Sequence, residues 1–217
     1  MRFNTIAVMK HLYFFLLFYA GAFSQEVNIA KDTIEMREVV ISEDFSKFKS
    51  SKVKIKGNCL YPETMTNVSE VVTLVEKLPM GYLESVTFYF NEMHYNAYKG
   101  DSKKFKSTEF EVVLYAVNPD NTVGARIMKD EKYILIMKEH MGATKVHFLE
   151  FNIKNQKKLF IGLRRSLPSG EKDFYIDCVC ENPKNITLGR SEEKPEWQPR
   201  LNCPAMKMEV NVLVSHE

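Results

Sequence analysis

The residues of this chain that could do chemistry are four cysteines, five histidines and a scatter of acids. Cys178 and Cys180 stand two apart in "DFYIDCVCEN", Cys203 follows a long polar excursion, and Cys59 lies far upstream. On a strand, positions i and i+2 share a face about 7 Å apart, so a bond between Cys178 and Cys180 would be strained. Four cysteines allow three pairings. The expected disulfide is Cys180 with Cys203, because both flank "ENPKNITLGRSEEKPEWQPRLN" and closing that loop contributes about 3 kcal/mol. The competing chemistry is a zinc site using the Cys-x-Cys pair, Cys203 and a histidine, but structural zinc sites use longer spacers within each cysteine pair. No metal and no cofactor is expected.

General acid–base chemistry needs groups of matched reactivity held within reach of one another. His94 and His140 lie beside turns and His216 near the C-terminus, while His147 alternates with Leu149, Phe151 and Ile153 and reads as a core-edge residue. The chain has no G-x-S-x-G elbow, H-E-x-x-H, P-loop or dinucleotide fingerprint. Glu109, Glu111 and Glu150 fall on strand-like segments, where acids two apart usually line a solvated face. A glycosidase would need two of them across a cleft at roughly 5 to 9.5 Å. Binding is the stronger competitor. "NEMHYNAYKGD" gathers Asn91, His94, Tyr95, Asn96, Tyr98 and Asp101 in one loop, and tyrosine can stack on a sugar ring and hydrogen-bond to it. Tyr95, Tyr98 and the single Trp197 are therefore the candidate ligand-binding residues, against the plainer reading that they pack a loop or cover a core edge.

The elements that would position these residues are short and β-prone. "KVKIKG", "SEVVTLVEKL", "YLESVTFYFNEM", "EFEVVLYAV", "KYILIMKE", "TKVHFLEFNI", "KKLFIGLRR", "KDFYIDCV", "NITLGR" and "AMKMEVNVLV" follow one another, punctuated by turn clusters such as "LPMG", "NPDNTVG", "MGAT" and "LPSGEK". This spacing leaves no room for helical crossovers, which argues for antiparallel pairing. In "AMKMEVNVLV", Met206, Met208, Val210, Val212 and Val214 share one face, as expected of a strand with a core side and a water side. "SEVVTLVEKL" has a helix-like start, but its Val and Thr content leans towards a strand. In "FEVVLYAV", Phe110, Val112, Leu114 and Ala116 line one face while Val113, Tyr115 and Val117 line the other. A strand apolar on both faces needs an outer cover, for which "TIEMREVVIS" or a partner surface is the candidate.

The N-terminus follows the order of a secretory signal: Arg2 and Lys10 with no acid, the apolar "HLYFFLLFYAGAF", then small residues ending at Ser24. The apolar run is about 13 residues, short of the roughly 20 that span a bilayer, and no later segment is apolar enough to do so. Arg2 and Lys10 also supply the formal net charge of +2, so a cut after Ser24 leaves a neutral chain and removes the electrostatic case for nucleic acid. "KFKSSKVKIKGN" (47–58) and "KGDSKKFK" (99–106) stay locally basic and read as solvated strand edges and loops, with a phosphate-binding patch as the alternative. The expected organisation is a signal peptide over 1–24, an extended segment and linker over 25–50, and a β-sandwich over 51–217.

"LESVTFYF", "FEVVLYAVNPDNTVGARIMKDEKYILI", "VHFLEFNIKNQKKLFIGLRR" and "EWQPRLNCPAMKMEVNVLV", in that order, resemble an exported β-sandwich module of Bacteroidetes. Such modules often follow a carboxypeptidase-regulatory-like domain, a small sandwich without peptidase activity. "IEMREVVIS" is similar to the stretch that commonly follows that domain, although the domain itself is missing here. The resemblance covers roughly residues 32–215 and implies fold and export rather than activity.

Together these readings predict an all-β chain, an antiparallel two-sheet sandwich of jelly-roll type with about ten strands. They predict a non-catalytic exported module with a structural or accessory role, located in the periplasm, at the outer-membrane surface or outside the cell. Its partner would be an envelope protein or a glycan. The alternatives are a carbohydrate-binding module and, below it, a glycoside hydrolase.

Overall fold

The computed structural model describes residues 45–57, 59, 63–64, 68–91, 94–95, 102–103, 107–137, 142–166, 175–181 and 186–215. Among them are ten strands of four or more residues, and the helical content is two short 3-10 turns, Phe45–Lys47 and Leu149–Phe151. The strands are β1 (Phe48–Ile55), β2 (Glu70–Glu76), β3 (Gly81–Asn91), β4 (Thr108–Val117) and β5 (Val123–Arg126). They continue as β6 (Lys132–Ile136), β7 (Gly142–His147), β8 (Lys158–Arg165), β9 (Thr187–Arg190) and β10 (Met208–Ser215). Every pairing between them is antiparallel.

In the first sheet β1, β10 and β3 lie side by side, with β7 and the short Lys154–Asn155 also paired to β3. The second sheet runs β9, β2, β8, β4, with β5 and β6 both paired to β4. This is the all-β, two-sheet antiparallel sandwich expected from the periodicities. Strand alternation decides which side chains enter the core between the sheets. Val86, Phe88 and Phe90 of β3 and Met208, Val210 and Val212 of β10 meet Val71 and Val75 of β2, Phe110, Val112 and Leu114 of β4, and Leu159, Ile161 and Leu163 of β8. Phe90 and Phe110 stack across the gap at 5.8 Å between ring centroids. "SEVVTLVEKL" forms a strand, as its β-branched content favours. The first sheet also takes in residues 48–50, which the sequence reading leaves to the linker, because β1 pairs with β10 from Phe48↔Ser215 onward.

The second face of β4 is covered as well. Val113 and Tyr115 join Val72 and Leu74 of β2 and Phe160 of β8 in a separate apolar cluster, with Val117, Val123, Leu188 and Trp197 packed against it. Cover therefore comes in part from the β5 hairpin and from the segment around β9. "TIEMREVVIS", the cover considered from sequence, lies outside the described residues.

Gly162 sits at the centre of this two-faced sheet, in register with Val72 on one side and Val113 on the other. A Cβ at that position would stand 1.9 Å from the Val71 carbonyl oxygen, a backbone atom of the neighbouring strand. Gly162→Ala is therefore expected to cost about 2 kcal/mol through forced separation of β2 and β8, read as a lower midpoint in urea unfolding.

The disulfides correct the sequence expectation. Cys178 bonds to Cys203 and Cys180 to Cys59, with Cα separations of 5.3 and 5.0 Å, so Cys180 and Cys203 are not partners. The short strand Cys178–Val179 pairs with Ala205–Met206 and ends there, so Cys180 has already left it. Cys178 points into the core beside Cys203, while Cys180 lies exposed and meets Cys59 beyond the end of β1. With both thiols of the Cys-x-Cys pair oxidised, neither serves as a zinc ligand.

Candidate functional site

The most distinctive side-chain cluster lies on the outer face of the second sheet, and register builds it. Arg190 of β9 stands opposite Glu70 of β2, Glu70 opposite Arg164 of β8, and Arg164 opposite Glu111 of β4. Four neighbouring strands thus place base, acid, base and acid in one row. Arg126 closes the far end, because β5 pairs it with Tyr115 and its Nη2 donates to Glu111 Oε1.

The carboxylates are buried, 2% and 3% exposed at Glu70 and Glu111, whereas the three guanidinium side chains keep between 26% and 32% of their surface. Glu70 Oε2 accepts from Arg164 Nε at 3.1 Å and from Arg190 Nε and Nη2 at 2.9 and 2.6 Å. Its other oxygen takes the Tyr115 hydroxyl at 2.6 Å. Glu111 Oε2 accepts from Arg164 Nη1 at 3.2 Å. The Tyr115 oxygen in turn accepts from Arg164 Nη2 at 2.9 Å and Arg190 Nη2 at 3.2 Å, so its one proton and both lone pairs are used. Burial, then the hydrogen bond to Glu70, push the Tyr115 phenol above its ordinary range. Burial disfavours the charge on Arg164, but Glu70 foremost and then Tyr115 and Glu111 outweigh it and the pKa rises.

Trp197 belongs to this site. Its indole meets the Tyr115 ring edge-on at 5.8 Å and 76°, and the Arg190 guanidinium lies over it at 4.5 Å from the ring centroid. One indole face is thus already occupied by a cation, and the two aromatic planes are nearly perpendicular. Of the other sequence candidates, Tyr95 pairs through its backbone with Ser102 in a two-residue ladder, and Tyr98 lies outside the described residues. Glu109 is exposed, and Glu150 reaches Lys132 instead. His147 is exposed rather than at the core edge, since β7 ends with it and Leu149–Phe151 turns away as a 3-10 segment. Among the described residues no group of three His, Cys, Asp or Glu side chains is arranged to hold a metal ion.

Glu70, Arg164 and Arg190 escaped the sequence reading. Their only signal is a charged residue at the rim of an otherwise apolar strand, which alone reads as a solvated end.

No protein-family model matches the chain, and no curated protein matches it. A solved structure with a partial likeness contains the cysteine protease and lectin-like domains of Cwp84, a surface layer associated protein of Clostridium difficile. The two are 12% identical with a TM-score of 0.44, and the match covers 80% of this chain and 37% of that one. A likeness at that level carries no argument about this chain.

Proposed function

We propose that this protein is an exported, non-catalytic β-sandwich module with a structural or interaction role in the cell envelope or outside the cell. The observation that carries the reading is the fate of Glu70 and Glu111, the two buried carboxylates among the described residues. A glycosidase needs two carboxylates that flank the substrate and are free to exchange a proton or to attack. Here both oxygens of each are engaged by arginines or by Tyr115, and an arginine does not give up its proton to serve as a base. Export is supported by the two disulfides, which persist in oxidising compartments, together with the leader-like N-terminus.

The carbohydrate-binding alternative places Tyr95, Tyr98 and Trp197 on a stacking platform. Trp197 supports it poorly, with Arg190 on its face and Tyr115 at its edge.

The test is an activity screen of the disulfide-intact chain on chromogenic glycosides and peptides beside Glu111→Gln. No turnover above buffer is the expected result. Turnover that disappears in Glu111→Gln, while near-UV circular dichroism keeps its native shape, would make the protein an enzyme and end this reading.

A further inference from the structure

The outer face of the first sheet carries a second arrangement with a different character. Lys52 and Lys54 project from β1, and Glu209 of β10 lies opposite Lys54. Lys52 Nζ and Lys54 Nζ both reach Glu209, at 3.1 and 2.5 Å. The Lys54 hydrogen bond, with Lys52 assisting against slight burial, holds the Glu209 carboxyl below its usual range, so one ionised acid serves two lysines. Two further ammonium groups flank them. Lys56 follows β1 and makes no ion pair among the described residues. Lys207 precedes β10 and sits over the Tyr89 ring at 5.1 Å from its centroid. Gly57, at φ 140°, then turns the chain so close to Val179 that a Cβ would stand 2.6 Å from its Cγ1. Between these groups is an open concavity of about 240 Å³ lined by Lys54, Lys56, Gly57, Tyr89, Lys207 and Glu209.

We infer that this concavity is a binding site for an acidic sugar, a single carboxylate-bearing ring at the end of a glycan. The excess of lysine over acid calls for an anion, and the two ammonium groups that Glu209 does not neutralise, Lys56 and Lys207, supply the contact. The volume lies below the ~300–1,000 Å³ of sites for drug-sized ligands, which suits one ring. Lys207 already caps the Tyr89 ring, so recognition works through charge and hydrogen bonds rather than stacking. Burial first, and then the charge of Glu209 and the hydrogen bond to it, raise the Tyr89 phenol, which keeps its proton and gives it to Glu209. Glu209 sets the sugar apart from a bare inorganic anion: its carboxylate repels either anion, but it accepts hydrogen bonds from ring hydroxyls, which only the sugar brings in number. The site is separate from the charged row on the second sheet, so its failure would leave the non-catalytic reading untouched.

The experiment is an NMR titration of the full, disulfide-intact chain with three probes: a uronic-acid-terminated disaccharide, the methyl ester of the same disaccharide, and inorganic phosphate. The acid is expected to bind saturably and to shift Tyr89 and Gly57, with the ester and phosphate each at least about tenfold weaker. Lys56→Gln and Lys207→Gln should each weaken the acid about tenfold, and Lys158→Gln, whose lysine pairs with Glu76 on the other sheet, should not. Added salt should weaken binding, because the attraction is between exposed charges. The inference fails if the acid does not bind, if ester or phosphate binds as tightly, or if both lysine variants bind like the wild type.

Discussion

Glu70→Ala is expected to lower unfolding stability by about 3 kcal/mol, the low end of the range for breaking a buried ion pair. The substitution removes the one carboxylate that Arg164, Arg190 and Tyr115 share. Arg190 would then lack a carboxylate, Arg164 would keep only Glu111, and the buried Tyr115 hydroxyl would lose its acceptor, so that each group left unpaired carries its own desolvation cost. Two considerations set the size. Glu70 is almost fully buried, which pushes the cost up, but both arginines keep about a third of their surface and water can solvate part of the loss. Lys158–Glu76, on the same sheet, is the internal comparison. Its side chains are 42% and 30% exposed, so Glu76→Ala should cost no more than about 1 kcal/mol. Urea unfolding of both variants with the disulfides intact measures the contrast. Equal, small losses would mean that the row on β2, β8 and β4 is no stronger than a surface pair.

The same row marks where the sequence stops being legible. The two-faced strand β4 announced itself, since apolar residues at odd and even positions can only be buried on both sides. The one-sided alternation of β10 was equally readable, because its pattern is local. Glu70, Glu111, Arg164 and Arg190 share no local pattern: their association exists only because four antiparallel registers bring them level, and a shift of one residue would send each side chain to the opposite face. Trp197 was singled out for its residue type, yet its role as a cover depends on Tyr115 and Arg190, far away in the chain. The misread pieces have separate causes. "TKVHFLEFNI" breaks at Phe148 into a tight turn closed by Asn152 at φ 48°, so the alternation that sets His147 at the core edge ends with β7 and leaves it exposed. Cys180 is matched with Cys203 because both flank one excursion, whereas its partner Cys59 lies 121 residues away, where no local pattern announces it.

Replacing both Cys59 and Cys180 with serine should destabilise the protein by about 5 kcal/mol if chain entropy dominates, the largest single effect expected here. The bond spans 121 residues and encloses β2 to β8, so its absence frees seven of the ten strands in the unfolded chain, whereas Cys178–Cys203 spans 25 and is worth about 3.5 kcal/mol by the same account. Burial works in the other direction. Cys178 and Cys203 lie in the core, and serines there would add two buried hydroxyls in need of partners, while Cys180 is exposed and Cys59 only half-buried. Single-bond variants studied side by side separate the two contributions. If loop length decides, the Cys59/Cys180 variant loses more stability while the Cys178/Cys203 variant keeps a higher urea midpoint. A reversed order would mean that packing around Cys178, not restriction of the unfolded chain, is the main contribution of the cysteines. That outcome would also shift the weight of the fold from the staple near β1 to the core beneath Ala205 and Met206.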